Sequence, residues 1–137
     1  MLVRLAHVCI ETTDLEASER FYTHLGARRR FEFRNLQEML IGMYMDLGQD
    51  TYIELVLVGE PRIEGAINHF ALQVEDVDAA REHLLAAGIE VTEKELGVDK
   101  TWMITCRDPT GVYIELHQYT EHSLQHRGGT CHIDYHP

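Results

Sequence analysis

The chain has 137 residues, of which 45% are hydrophobic and 26% are charged, a balance typical of a globular chain long enough for one compact domain. Its formal net charge is −11 with histidine counted as neutral, so it would repel polyanions. We therefore expect neither nucleic acid nor an anionic membrane surface as a partner. Its longest apolar runs, such as residues 53–58, are far too short to span a bilayer.

The chain also carries signals about its compartment. Its three cysteines, Cys9, Cys106 and Cys131, are widely spaced and form no Cys-x-x-Cys pair, so we predict no disulfide framework, as is usual in a reducing cytoplasm. The first residues enter a strand pattern without the basic segment, apolar stretch and cleavage site of a signal peptide. Both observations favour a cytoplasmic location. The basic run at residues 28–30 is interpreted as a solvated strand end.

An internal repeat organises the sequence. Residues 5–26 align with residues 67–88 at a constant offset, which places His7 on His69 and Asp14 on Asp76. Further along, the offset is one residue shorter, and Tyr-Ile-Glu-Leu at residues 52–55 recurs unchanged at residues 113–116. Identities that keep the same order in both halves predict a duplicated unit that has diverged.

Each half predicts the same five elements in the same order. In the first half the predicted strands are residues 3–10, 28–33, 39–47 and 51–58. In the second half they are residues 66–74, 89–93, 101–107 and 112–119. A helix follows the first strand of each half; Asp14 or Asp76 caps its start, and Gly26 or Gly88 stops it.

These elements predict an α+β fold of two tandem βαβββ modules within one domain that spans residues 1–137. Module one covers about residues 3–58 and module two about residues 66–119. Residues 120–137 are polar and lack periodicity, so we predict a tail or a cover over the domain, with a solvated tail favoured. The tail contains histidines at spacings of four, which would chelate a metal ion only if the segment were helical: His122, His126, His132 and His136.

Strand alternation places duplicated polar residues on one face of each sheet. His7 and His69 alternate with apolar residues in the first strands, and Glu54 and Glu115 do so in the last strands. We expect the apolar rows to pack under the helices, which leaves the four polar residues on the opposite face. Pseudo-twofold pairing of the modules would bring them to one place. Two imidazoles and two carboxylates suit one divalent ion of zinc, nickel, cobalt, manganese or iron(II).

Two neighbours of these residues are also candidates for the site. His117 follows Glu115 by two positions and is expected on the same face, as a substrate contact or proton carrier. Cys9 follows His7 by two positions and is interpreted as a small residue of the cavity wall.

The sequence resembles the vicinal oxygen chelate superfamily, which includes glyoxalase I, methylmalonyl-CoA epimerase, fosfomycin-resistance proteins, bleomycin-binding proteins and extradiol dioxygenases. The resemblance covers about residues 3–119. It rests on Leu-Ala-His-Val-Cys-Ile at 5–10, Asp-Leu-Glu-Ala-Ser-Glu-Arg-Phe-Tyr-Thr-His-Leu-Gly at 14–26, Ile-Asn-His-Phe-Ala-Leu-Gln-Val at 67–74, Asp-Val-Asp-Ala-Ala at 76–80 and Asp-Pro-Thr-Gly-Val-Tyr-Ile-Glu-Leu at 108–116. It implies mixed sheets that curve around a metal cavity and modules that often pair across subunits, so we expect a homodimer.

The predicted ligand set resembles that of glyoxalase I, with two departures. In that family an Arg four residues after the first ligand His and an Asn four residues after the first ligand Glu contact glutathione. Glu11 and Val58 stand at these positions here, so the resemblance implies the site chemistry without the usual grip on glutathione. Epimerases typically carry Gln where Glu54 stands, and bleomycin-binding members carry no metal.

We therefore expect a metal-dependent lyase or isomerase of the glyoxalase/epimerase kind, which acts on a small carbonyl or hydroxy-carbonyl substrate through an enediolate. Glu115 is expected to move the proton, and Glu54 is the symmetric alternative. Two other functions stay open. One is an iron(II)-dependent ring-cleaving dioxygenase that uses His7, His69 and Glu115, and the other is a non-catalytic protein that binds a small molecule.

Overall fold

The computed structural model describes residue 5 and residues 7–49, 51–60 and 69–128. The predicted strand starts at residues 3–4 and 66–68 lie outside these residues, as does the tail from residue 129 onward. The chain divides into two compact units. One comprises Met1–Ala66 with Asp108–Val112, and the other comprises Ile67–Arg107 with Tyr113–Pro137.

Both units contain the predicted βαβββ module. The first contains β1 (His7–Thr12), α1 (Leu15–His24), β2 (Arg28–Arg34), β3 (Leu40–Gly48) and β4 (Thr51–Leu57). The second contains β5 (His69–Gln73), α2 (Val77–Ala86), β6 (Glu95–Leu96), β7 (Trp102–Arg107) and β8 (Tyr113–Gln118), followed by a short helix α3 (Leu124–Arg127). The strand orders β1-β4-β3-β2 and β5-β8-β7-β6 are equivalent, which confirms the α+β fold.

The register of the parallel strand pairs shows the duplication at the level of single residues. His7 on β1 lies opposite Tyr52 on β4, and His69 on β5 lies opposite Tyr113 on β8. In both pairs the glutamate of Tyr-Ile-Glu-Leu lies two residues after this tyrosine on the same strand. The remaining strands of each sheet pair antiparallel.

Helix starts and the core follow the sequence patterns. Asp14 Oδ1 accepts a hydrogen bond from Ala17 N at 2.9 Å, and Asp76 caps α2 in the same way. The apolar rows of the last strands form the centre of each core and are fully buried: Ile53, Leu55, Ile114 and Leu116. Burial of these rows leaves the glutamates between them on the opposite face.

Within the described residues, no helix is both long and apolar enough to cross a membrane.

The predicted strand at residues 89–93 is wrong. Only Val91 makes a bridge there, to Cys106, and β6 forms later. Thr105 N donates to the side-chain Oγ1 of Thr92 at 2.9 Å, while Thr92 N donates to Thr105 O at 3.0 Å. A hydroxyl thus takes the place of a strand carbonyl, which is how threonine interrupts a regular ladder.

Residues 120–128, the described part of the predicted tail or cover, are mostly exposed, and they are anchored to the loop before β7. Ser123 is fully buried, and its Oγ donates to Lys100 O at 2.9 Å. Leu124 N donates to Asp99 O at 2.9 Å. Polar side chains here satisfy backbone groups of the loop before β7, so a polar sequence packs without a hydrophobic pattern.

Candidate metal centre

In the first unit, β1 and β4 bring one predicted ligand pair together. His7 Nε2 lies 3.3 Å from Glu54 Oε2. The parallel register explains this contact, because Tyr52 lies opposite His7 and Glu54 is the next residue of β4 on the same face.

The neighbours of His7 and Glu54 fix how this pair is oriented. Tyr44 Oη lies 3.3 Å from His7 Nδ1, so that nitrogen has a partner and Nε2 faces the glutamate, the arrangement typical of a ligating histidine. Cys9 is partly exposed. Desolvation and the nearby Glu54 carboxylate, which accepts a hydrogen bond from the thiol, raise the pKa of Cys9. Both effects favour the thiol form of Cys9 over the thiolate.

The second unit brings the equivalent pair together on β5 and β8. His69 Nε2 lies 3.6 Å from Glu115 Oε2. The same carboxylate oxygen lies 2.9 Å from His117 Nε2, so His117 shares the face of Glu115. His69 and His7 are exposed to the same degree, 41% and 40% of the side chain, whereas His117 is 14% exposed. The duplicated histidines are accessible, and His117 is a covered neighbour.

The spacing within each pair fits two ligands of one ion. Nitrogen and oxygen ligands lie about 2.0–2.2 Å from zinc, so two of them at a tetrahedral angle lie about 3.4 Å apart. The measured separations are 3.3 and 3.6 Å. No group of three or more His, Cys, Asp or Glu in the described part of the chain is arranged to hold a metal ion. Each unit thus provides two donors, and the predicted set of four requires both pairs.

His122 and His126, the tail histidines that the structure describes, do not form a further pair of candidate metal ligands. His122 lies before α3 and its side chain faces Glu121, with 3.3 Å between Nε2 and Oε1. His126 lies within α3, and its ring packs edge-on against Tyr119 at a centroid distance of 4.9 Å. His132 and His136 lie outside the described residues.

An aromatic cluster beside His7 was missed from the sequence. Tyr44 lies at its centre, 4.5 Å from Phe31 between ring centroids, 5.8 Å from Phe33 and 5.7 Å from Tyr52. The signal was present, since Phe31 and Phe33 alternate along one predicted strand and Tyr52 shares the face of Glu54. Aromatic residues in strands usually pack in a core, which hides such a cluster among ordinary core patterns.

The family model of the Glyoxalase/Bleomycin resistance protein/Dioxygenase superfamily matches residues 4–116. The chain therefore belongs to this superfamily, as its sequence motifs and its two βαβββ modules indicate. Members of the superfamily generally bind a divalent metal and small molecules.

Several solved structures are similar to the chain. SMU.1112c has a TM-score of 0.72 and 26% identity, over 86% of this chain and 100% of that one. The fosfomycin resistance protein FosX from Listeria monocytogenes has a TM-score of 0.70 and 21% identity, over 88% and 97%. Lactoylglutathione lyase from Agrobacterium tumefaciens has a TM-score of 0.64 and 18% identity, over 84% and 92%. The likeness to the last two proteins, at 21% and 18% identity, shows a shared fold alone. Among curated proteins, none matches the chain.

Proposed function

We propose that this protein is a metal-dependent lyase or isomerase of the glyoxalase/epimerase kind, which acts on a small carbonyl or hydroxy-carbonyl substrate through an enediolate. The observation that carries the proposal is the pair of His–Glu contacts at equivalent register positions, 3.3 Å in the first unit and 3.6 Å in the second. Core packing alone does not require a histidine and a glutamate to recur together on the accessible face of both sheets.

His7, Glu54, His69 and Glu115 would hold one divalent ion, whose charge their two carboxylates balance. The ion supplies a Lewis acid that stabilises negative charge on two neighbouring substrate oxygens. We propose that one pair comes from each unit, within one chain or between two chains of a homodimer. The free thiol of Cys9 is consistent with a cytoplasmic enzyme.

We propose Glu115 as the group that moves the proton. A proton carrier must be within hydrogen-bond reach of the reacting C–H and must be held in place. His117 Nε2, 2.9 Å from Glu115 Oε2, orients that carboxylate and stabilises its charge. The corresponding neighbour of Glu54 is the thiol of Cys9, a weaker donor. The two carboxylates are therefore equivalent in position and different in environment.

The proposed function is tested by measuring exchange of a substrate α-proton with solvent. An enediolate allows this exchange whichever product it goes on to form. Protein reconstituted with zinc, nickel or cobalt would be incubated in deuterated water with small hydroxy-carbonyl and dicarbonyl compounds, and deuterium uptake would be followed by NMR. We expect metal-dependent exchange that His69→Ala abolishes and that the exposed control His122→Ala retains.

Two results would redirect the assignment. Oxygen consumption with a catechol and iron(II), in place of proton exchange, would favour the ring-cleaving dioxygenase. Tight binding of a small molecule without metal and without exchange would favour a binding protein that performs no chemistry.

A further inference from the structure

We infer that the substrate carries an aromatic or other planar apolar group beside its two chelating oxygens, and that Phe31 and Tyr44 bind this group. The inference rests on the proposed function and adds the substrate class. It comes from the aromatic cluster of the first unit, defined as Phe31, Phe33, Tyr44 and Tyr52.

The cluster forms a continuous path from a proposed metal ligand to an exposed ring. Tyr44 contacts His7 through its hydroxyl, at 3.3 Å from Nδ1, and through its ring, at a centroid distance of 5.5 Å. On its other side Tyr44 is stacked on Phe31 at 4.5 Å with an interplanar angle of 19°. Phe31 is 47% exposed. A chelating molecule next to His7 would therefore have a flat apolar surface within reach.

The surrounding residues hold this surface in a fixed shape. The Phe33 ring packs edge-on against both Phe31 and Tyr44, at centroid distances of 5.3 and 5.8 Å. Phe33 lies opposite Gly42 on the neighbouring strand, and a Cβ at Gly42 would come within 3.0 Å of the Phe33 ring. The glycine thus leaves the space that the ring occupies. A surface ordered before binding loses little conformational entropy when a ligand packs on it.

Within the residues that the structure describes, the cluster occurs in only one of the two duplicated modules. Tyr44 lies opposite Glu54 on β4, and the residue opposite Glu115 is Thr105, whose hydroxyl lies 3.3 Å from that of Thr92. Duplicated ligands alone would accept a substrate in either orientation. An aromatic surface beside His7 and a hydrogen-bonded His117 beside Glu115 break that equivalence and favour a substrate with one apolar end and one reactive end.

Two matched chelators test the inference. Acetohydroxamic acid and benzohydroxamic acid both bind metal through two neighbouring oxygens and differ in carrying a methyl or a phenyl group. With zinc-loaded protein in calorimetry, we expect benzohydroxamate to bind roughly 10- to 50-fold more tightly, the effect of burying and stacking one ring. Phe31→Ala should reduce this ratio several-fold towards that of the two compounds for zinc in solution, because only the Tyr44 ring then remains. Leu36→Ala, at a residue that is 96% exposed on the same hairpin, should change neither affinity.

The outcomes separate this inference from the proposed function. Equal affinities for the two hydroxamates, or a preference that Phe31→Ala does not reduce, would overturn the inference and leave the metal site intact. Failure of the unaltered protein to bind any of zinc, nickel, cobalt, manganese and iron(II) would overturn both. Conversion of a dimer to a monomer by Phe31→Ala, seen by sedimentation, would assign the ring to a subunit contact and would also overturn the inference. If Phe31→Ala is poorly folded, Phe31→Leu replaces it in the test. This variant keeps the apolar volume and should retain part of the phenyl preference.

Discussion

At the residue scale, the two proposed ligand pairs differ in what accompanies each glutamate. Glu115 Oε2 has His117 Nε2 at 2.9 Å, and Glu54 accepts a hydrogen bond from Cys9. Because the histidines are equivalent, these neighbours are the local features that distinguish the chemistry of the two carboxylates.

Glu115→Gln tests the assignment of the proton carrier. The amide oxygen is still able to ligate a metal, so we expect most of the metal to stay bound. The amide cannot accept the substrate proton, so the rate of α-proton exchange should fall by roughly 10²–10⁴, the usual contribution of a positioned acid–base group. Metal content and exchange rate would be measured on the same sample.

Glu54→Gln is the matched control for this change, since it occupies the same register position in the first unit. It should lose less rate than Glu115→Gln. The reverse order would show that the roles are exchanged, and full activity in both variants would contradict proton transfer by either carboxylate.

A second prediction concerns glutathione. Glu11 and Val58 occupy the two positions where the resemblance to glyoxalase I implies Arg and Asn. A carboxylate in place of a cation repels the glutathione carboxylate, and the missing charged hydrogen bond costs about 1.5–3 kcal/mol. We expect weak or no turnover of the glutathione–methylglyoxal hemithioacetal with nickel, zinc or cobalt, followed by ultraviolet absorbance.

The paired replacement Glu11→Arg and Val58→Asn should increase that turnover, while Glu11→Gln, which removes the charge alone, should increase it less. Turnover by the unaltered protein at roughly 10⁴ M⁻¹s⁻¹ or more, an ordinary enzyme efficiency, would contradict this prediction.

The sequence predicted the His–Glu pairs because side chains alternate in a strand, so one buried apolar row fixes the direction of every second residue. It did not predict that Tyr44 contacts His7, because that contact depends on the register of β3 against β4. Register is a property of strand pairing and is not encoded in any one strand.

At the element scale, the close pairing of β3 with its neighbours depends on one glycine. A Cβ at Gly42 would lie 2.6 Å from Leu55 O and 3.0 Å from the Phe33 ring. We expect Gly42→Ala to lower the free energy of unfolding by about 1–3 kcal/mol, the usual cost of overpacking, as measured by urea denaturation. Gly59→Ala is the control, because no other described residue has an atom within 4 Å of its added Cβ apart from its chain neighbours. Equal stability of both variants would contradict the close approach.

Two elements differ from the sequence prediction for a common reason, which is that side-chain hydroxyls replace backbone partners. Thr92 accepts a hydrogen bond from Thr105 N and ends a strand that its β-branched neighbours favoured. Ser123 donates to Lys100 O and anchors a mostly exposed segment for which hydrophobic periodicity predicted no packing. Hydrophobic periodicity does not report such contacts, because the residues concerned are polar whether they are buried or exposed.

At the scale of the whole molecule, the segment Asp108–Val112 belongs to the first unit although it connects β7 and β8 of the second. Tyr22 Oη donates to Asp108 Oδ2 at 2.9 Å, and both residues are buried. Burial raises the pKa of the Asp108 carboxyl, although hydrogen bonds from Val112 N and Tyr22 oppose the shift.

This shift predicts a pH dependence of stability. A carboxyl whose pKa is raised in the folded state binds its proton more tightly there, so its favourable contribution is present below the unfolded pKa and is lost as pH rises through the folded value. Asp108→Asn does not titrate. The stability of the unaltered protein relative to Asp108→Asn should therefore decrease as pH rises from below 3.8, the ordinary pKa of the carboxyl, through its raised folded-state value, as measured by urea denaturation at each pH. A difference that is constant or that increases would contradict the raised pKa.

The architecture of the whole molecule was predictable because the sequence contains the same pattern of motifs twice. His7 and His69, and the repeated Tyr-Ile-Glu-Leu, fix equivalent registers in both sheets, and two weak signals in the same order are stronger than either alone. The substrate was not predictable, since the residues that distinguish the modules, Tyr44 and Thr105, are those at which the repeat has diverged.

We propose that His7, Glu54, His69 and Glu115 together bind one divalent metal ion. Elemental analysis of protein purified without a histidine tag tests it most directly. We expect close to one divalent ion per chain, which His7→Ala and His69→Ala each abolish because a ligand pair from each unit is required. His126→Ala, which alters α3 and leaves both pairs intact, should keep the metal. Unchanged metal content in both His7→Ala and His69→Ala would contradict the site.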